Sequence, residues 1–239
     1  CITNHVTVNA VVNMLLAAGA AAVCADDINE VEEITSVSKG LLLNTGTPSE
    51  QRTETMIRAG ITANRTGIPV ILDPAGLGAS LFRKRIVQDI LSSVRISCIR
   101  GNNTEIAVLA GKDIASKGVE SAGVSLTDAE LISAAGKYRT VIAATGKTDR
   151  IASAEEVVSI TGGTEMLRNI TGSGCMLSGL ITAFISAAGN EHEFFTAAET
   201  AVKTYSRAAE NAECFIRKKG HAGTASFEAA LRDEISIMS

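Results

Sequence analysis

Along the chain, brief apolar runs alternate with longer stretches in which apolar positions recur every three or four residues. The runs at residues 21–25, 40–44, 68–73, 95–99 and 140–144 show little polar alternation, the pattern of parallel strands covered on both faces. Between them, residues 50–65 place Met56, Ile57, Gly60 and Ile61 on one helical stripe, and the segment opened by Thr127 does the same with Leu131, Ala134, Ala135 and Tyr138. Capping chemistry marks these starts. Thr47-Pro48-Ser49-Glu50 has a hydroxyl cap, a proline suited to the first helical position and a reciprocal Glu. Thr127-Asp128-Ala129-Glu130 repeats the hydroxyl and the Glu. Residues 150–152 and 156–160 predict a hairpin, and 174–188, 193–210 and 226–237 predict helices. Repeated strand–helix–strand order implies right-handed crossovers and an α/β fold with an open, mostly parallel sheet flanked by helices. With no repeat, low-complexity tract or Pro-rich linker, one domain is expected over residues 1–239.

Composition narrows the function. Apolar residues at 46% and charged residues at 20% exclude intrinsic disorder, and with 3% aromatics and no Trp the core must be built from Val, Ile, Leu and Ala. Twenty-two basic against 26 acidic residues give a net charge of −4. That balance carries no electrostatic footprint for nucleic acid, and aromatic stacking platforms are lacking too. The five cysteines, Cys1, Cys24, Cys98, Cys175 and Cys214, show no C-x-x-C spacing, so free thiols in a reducing cytoplasm are expected. Residues 10–25 form the longest apolar stretch, but Asn13 and Gly19 break it and it is too short to span a bilayer, so no membrane association is expected. No basic segment precedes an apolar core, as a signal peptide would require. The chain begins at Cys1 without Met, consistent with a trimmed N-terminus. His5, His192 and His221 have no metal-ligand spacing.

In such sheets ligands sit outside the carboxyl ends of the strands. Four predicted strand exits are polar or glycine-rich: Asn44-Thr45-Gly46-Thr47, Asp73-Pro74-Ala75-Gly76, Arg100-Gly101-Asn102 and Thr145-Gly146-Lys147. Together they point to a phosphate-type ligand. Ile170-Thr171-Gly172-Ser173-Gly174-Cys175 leads straight into an apolar helix, where free amides and the helix dipole favour an anion. The same field is expected to lower the thiol pKa of Cys175 and favour thiolate. Asp73 and Glu105 are carboxylates suited to Mg²⁺ carried by a nucleotide. Asp-Pro is also a common strand terminator, and Asn102-Asn103-Thr104-Glu105 also fits a plain capping box. Arg100 stands where it could clamp phosphate oxygens. Thr145-Gly146-Lys147-Thr148 mimics the end of a P-loop, but the pattern needs glycine where Val141 stands. Arg83-Lys84-Arg85 and Arg217-Lys218-Lys219 are expected to be solvated helix faces.

In this order and spacing, these motifs resemble the hydroxyethylthiazole kinase family of the ribokinase-like superfamily over essentially the whole chain, from Cys1-Ile2-Thr3-Asn4 through Leu72-Asp73-Pro74-Ala75-Gly76, Ile99-Arg100-Gly101-Asn102-Asn103-Thr104-Glu105 and Ala144-Thr145-Gly146 to Gly172-Ser173-Gly174-Cys175. The resemblance implies a three-layer ribokinase-like fold. It also implies ATP- and Mg²⁺-dependent phosphorylation of the primary hydroxyl of 4-methyl-5-(2-hydroxyethyl)thiazole, a step of thiamine biosynthesis and salvage. By it, Arg100, Asn102, Thr145 and Gly146 face ATP, Asp73 and Glu105 organise the metal, and Asn4, Cys24, Asn44 and Gly172 face the thiazole. Cys175, with Gly172, Ser173 and Gly174, forms the catalytic group and stands where most ribokinase-like kinases carry an Asp base. A homotrimer with pockets between subunits is implied as well. Two departures stand out. Cys24 replaces the family's usual Met in Gly19-Ala20-Ala21-Ala22-Val23-Cys24, and the helical segment that tends to precede Cys1 is missing from this sequence. Rival readings are a kinase for another hydroxymethyl heterocycle (a pyrimidine or pyridoxal), an ATP-dependent dehydratase of damaged nicotinamide cofactors, and a non-catalytic nucleotide sensor.

Overall fold

The computed structural model describes residues 1–112, 126–220 and 223–238; His221 lies outside them. These residues form α1 (Val8–Ala17), α2 (Val31–Ser36), β1 (Leu41–Asn44), α3 (Glu50–Arg65), β2 (Val70–Asp73), α4 (Leu81–Ser93), β3 (Cys98–Asn102), α5 (Asn103–Leu109), α6 (Asp128–Tyr138), β4 (Val141–Thr145), β5 (Asp149–Ala152), β6 (Val157–Ile160), α7 (Ser173–Ala187), α8 (Phe194–Lys218) and α9 (Thr224–Met238). The six strands make one sheet in sequence order. β1 to β4 run parallel, and β5 and β6 close the far edge as an antiparallel hairpin.

Three layers follow from the alternation of side chains across the strands. Leu42, Ile71, Cys98 and Ala143 point to a core filled by α1, α7, α8 and α9. Leu41, Leu43, Leu72, Ile99 and Ile142 point to the opposite core, packed by α3, α4, α5 and α6. Both faces are covered, so β1, β2 and β4 are buried throughout their length, β3 is half-buried only at Arg100 and Asn102, and their sequence shows no amphipathic alternation.

Several expectations shift. Residues 21–25 form no strand; Ala21 is exposed, Ala22 packs only in part against the core and Ala25 alone is buried, and the edge beside β1 is instead touched by Ile2, which bridges to Leu43. β3 runs three residues later than expected, from Cys98 to Asn102. Arg95 and Ser97 are engaged before it, with Asn64 and with the Val70 N–H. Arg100 therefore lies inside β3, and Asn102 and Thr145 end their strands rather than follow them. On α3, Met56 and Gly60 are buried but Ile61 is 49% exposed, because the face against the sheet runs through Ala59 and Ala63. Gly60 has no room for a side chain: a Cβ there would lie 2.5 Å from Val94, the residue that follows α4. α8 extends eight residues beyond the predicted Glu210, since Ala212 and Ile216 continue its buried face.

Candidate active site

The ends of β1, β2, β3 and β4 and the head of α7 converge at one edge of the sheet. Register puts Asn44 beside Asp73 and Asn102 beside Thr145. Parallel strands bring polar C-terminal residues from distant parts of the chain to one place, so the four strand exits singled out in the sequence form a single group.

Its first half is a buried network around Asp73 and Cys175. Asn44, 1% exposed, donates from Nδ2 to Asp73 Oδ2 at 2.7 Å and to Cys175 Sγ at 3.2 Å. Its Oδ1 accepts from Asn4 Nδ2 at 3.0 Å and from the Gly46 N–H at 2.9 Å. Asn4 Nδ2 also reaches Cys175 Sγ at 3.4 Å. Ser178, one turn along α7 from Cys175, donates to Asp73 Oδ2 at 2.8 Å. Asp73 Oδ1 is buried without a hydrogen-bond partner.

The second half is centred on Arg100. Its Nη2 donates to Thr145 Oγ1 at 2.6 Å, and its Nη1 lies 3.9 Å from Asp73 Oδ2. The guanidinium packs directly on Gly174, where any Cβ would collide with it. Gly172 caps α7 with a left-handed φ of 83°, and a Cβ there would lie 2.5 Å from Thr7. Among the described residues no side chain caps the first turn of α7. Two of the motif's glycines are thus required, one by backbone conformation and both by close approach.

Beyond Arg100 opens a cleft of about 700 Å³, lined by Asn102, Thr145, Gly146, Gly163, Ser173 and Gly174 among others. Gly162 and Gly163 enter it with positive φ. The Gly146 N–H is held by Asp149 Oδ1 at 2.9 Å, and Tyr205 Oη anchors the Ser173 carbonyl at 2.8 Å. Asn102 and Glu105 form a full capping box on α5, so the structural reading of that pair holds. Glu105 does more than cap, because its Oε1 also accepts from the Gly76 N–H at 2.8 Å.

Burial dominates the electrostatics. It raises the carboxyl pKa of Asp73, opposed by Arg100, and raises that of Glu105, where the Asp73 charge adds to the effect. The expected lowering at Cys175 is not met. Burial and the neighbouring Asp73 charge push its thiol up, outweighing Arg100 and the Asn44 hydrogen bond, so the resting group is a thiol. Two buried carboxylates share one guanidinium here. An additional cation would offset the excess negative charge, and the unpartnered Asp73 Oδ1 fits that need. No cluster of three or more His, Cys, Asp or Glu suited to a metal occurs among the described residues.

Cys24 stands apart from this group, exposed, with its sulfur 3.4 Å from that of Cys1. Thr145-Gly146-Lys147-Thr148 runs into β5, not into a helix, so the P-loop likeness fails in structure as in sequence. The sequence reading missed Ser178, Thr7, Tyr205 and the Gly162-Gly163 pair. Only the last left a legible signal, two glycines one residue beyond a predicted strand.

The model of the hydroxyethylthiazole kinase family matches residues 1–239. Hydroxyethylthiazole kinase of Ruminiclostridium cellulolyticum is 40% identical over 241 residues, covering 99% of this chain and 86% of that protein. The solved hydroxyethylthiazole kinase of Pyrococcus horikoshii OT3 superposes with a TM-score of 0.85 at 32% identity, covering 99% of this chain and 86% of that one. A ribokinase-like superfamily protein of Enterococcus faecalis shares the fold, with a TM-score of 0.68 at 12% identity over 100% of this chain and 86% of that one.

Proposed function

The chain belongs to the hydroxyethylthiazole kinase family, and on that premise we propose that it transfers the γ-phosphoryl group of ATP to the primary hydroxyl of 4-methyl-5-(2-hydroxyethyl)thiazole. The observation that carries this reading is the meeting of two half-sites at the head of α7. The glycine-rich cleft ends at Arg100 and Gly174, and the Asn4–Asn44–Cys175 group begins within one helical turn of them. A phosphate donor in the cleft and an alcohol beside Cys175 would face each other across the uncapped first turn.

Phosphoryl transfer asks little covalent chemistry of a protein; positioning and charge stabilisation carry it. The amides of Ser173, Gly174 and Cys175 hold the negative charge as it develops. Arg100 steadies the polyphosphate from the cleft side together with Thr145, while Asn102 and Gly146 line the nucleotide's path. Asn4 and Asn44 orient the Cys175 sulfur against the alcohol, with Gly172 as the wall opposite. Asp73 and Glu105 are the residues that would hold Mg²⁺, alongside phosphate oxygens, and the metal would supply charge neutralisation there. Because the resting Cys175 is a thiol, its contribution is contact and orientation of the hydroxyl rather than prior thiolate basicity.

A homotrimer with pockets between subunits is part of the same reading. Val6 and Val23 are 71% and 53% exposed, and Val6 is two residues from Asn4, so a second copy could cover this end of the site. Cys24 would then complete the acceptor pocket. Light scattering on the eluting protein tests the assembly. A cytoplasmic setting accords with five free cysteines, and no described helix is long and apolar enough to cross a membrane.

Release of ADP across a panel of alcohols tests the activity. Turnover should be fastest with the thiazole alcohol and stoichiometric with its phosphate ester. Preference for a pyrimidine or pyridoxal alcohol, for hydrated nicotinamide cofactors, or binding of ATP without turnover would each overturn the assignment.

A further inference from the structure

We propose that Arg83 is a positioning residue for phosphoryl transfer, one guanidinium bracing the two strand-exit loops that hold Asp73 and Glu105. The proposal rests on the kinase reading above for its meaning. Of the basic run on α4, Arg85 behaves as a surface residue: it is exposed, pairs with Glu50 and lies over the Phe82 ring. Arg83 does not. Its Nη1 donates to the carbonyls of Thr45 at 3.0 Å and Ala75 at 2.8 Å, and its Nη2 to that of Gly46 at 3.0 Å.

These carbonyls belong to the exits of neighbouring parallel strands, already joined where the Thr45 N–H meets the Asp73 carbonyl at 3.0 Å. The opposite edge of each loop faces the site. The Gly46 N–H holds Asn44 Oδ1 at 2.9 Å, and Asn44 in turn holds Asp73 and Cys175. The Gly76 N–H holds Glu105 Oε1 at 2.8 Å. Arg83 thus grips the carbonyl side of both loops whose amides arrange the carboxylates. Gly76, at φ 75°, makes room for it, since a Cβ there would lie 3.0 Å from Nη1. Three carbonyls on two loops need a planar fork; an ammonium offers its donors from a single atom. Arg83 is absent from the lining of the nucleotide cleft, so its influence on that substrate is indirect.

The test compares wild type with Arg83→Ala, Arg83→Lys and, as a control for charge on the same helix, Arg85→Ala. Two readouts are taken: ADP release with the thiazole alcohol, and the rate at which iodoacetamide alkylates Cys175, followed by peptide mass with exposed Cys214 as the internal reference. Arg83→Ala should lower kcat by about 10- to 100-fold through misplacement of the carboxylates, leave affinity for metal-free nucleotide unchanged, and speed alkylation of Cys175 alone. Arg83→Lys should recover only part of both losses, and Arg85→Ala should match wild type. The alkylation readout needs no turnover, so an inactive wild type would refute the kinase reading while Cys175 reactivity still decides the role of Arg83. A purely structural role predicts a lower melting temperature with kcat and Cys175 reactivity at wild-type values in the folded variant, and that result overturns the proposal. Should Arg83→Ala fail to fold, the same two values measured on Arg83→Lys decide it.

Discussion

Gly174→Ala sets two physical effects against each other. In an isolated helix the change gains up to about 1 kcal/mol, because alanine loses less backbone entropy. Here the new Cβ would lie 2.6 Å from Arg100 Nη2 and 2.8 Å from its Cζ. Backbone at a helix head does not yield easily, so the guanidinium moves. In moving it gives up its 2.6 Å hydrogen bond to Thr145 Oγ1 and its 3.9 Å approach to Asp73. A hydrogen bond to a charged group contributes about 1.5–3 kcal/mol, so kcat/KM for ATP should fall roughly 10- to 150-fold, at 1.36 kcal/mol per decade. Initial rates of ADP release at varied ATP, with melting temperature as the fold control, measure both sides of the balance. The double variant Gly174→Ala/Arg100→Ala should be little worse than Arg100→Ala alone, because the clash acts through the guanidinium. A Gly174→Ala enzyme with wild-type kcat/KM would refute the placement of Arg100 against α7.

Cys175→Ala should keep kcat within about tenfold of wild type, whereas loss of a true general base would cost about 10²–10⁴; its pH–rate profile should retain the same limbs, and loss of a limb would restore the thiolate. Asp73 has a folded-state pKa raised by burial, so its favourable contribution to stability is complete below the ordinary carboxylate range and fades as pH rises through the raised value. Asp73→Asn should therefore melt close to wild type in acid and above it at pH 8, with activity lost, and calorimetry showing the same difference at both pH values would contradict this. Glu105→Gln turns an amide toward one of the two N–H groups that Glu105 accepts from, those of Gly76 and Asn102. It should lower stability by about 0.5–2 kcal/mol through the α5 cap alone, measurable in urea melts.

Much of this architecture was legible because burial patterns are local. Four parallel strands covered on both faces leave continuous apolar runs, and the hydroxyl cap at Thr127 marks a helix start, as its side-chain hydrogen bond bears out; at α3 the cap falls on Ser49, two residues after the expected Thr47, so Pro48 precedes the helix and does not open it. The failures have a common cause. Residues 21–25 are as apolar as a strand, but alanine and valine carry no signal for the partner that would pair with them. Arg100 and Asn102 are too polar to suggest a strand, yet they belong to β3, where both line the cleft. At the site, residue types announced the carboxylates and the glycines. Proximity did not appear in the sequence: Ser178 reaches Asp73 across 105 positions of chain. Nor does a sequence reveal that burial, with the Asp73 charge beside it, raises the Cys175 thiol.

The central claim is that the uncapped first turn of α7 receives the migrating phosphoryl group. Amide resonances of Ser173, Gly174 and Cys175 in ¹⁵N-labelled protein report on it when ADP, Mg²⁺, aluminium fluoride and the thiazole alcohol are added together. The account predicts large downfield shifts at these three amides, reduced in Arg100→Ala. Shifts confined to the Gly146 and Gly163 side of the cleft, with the α7 amides unmoved, would contradict it.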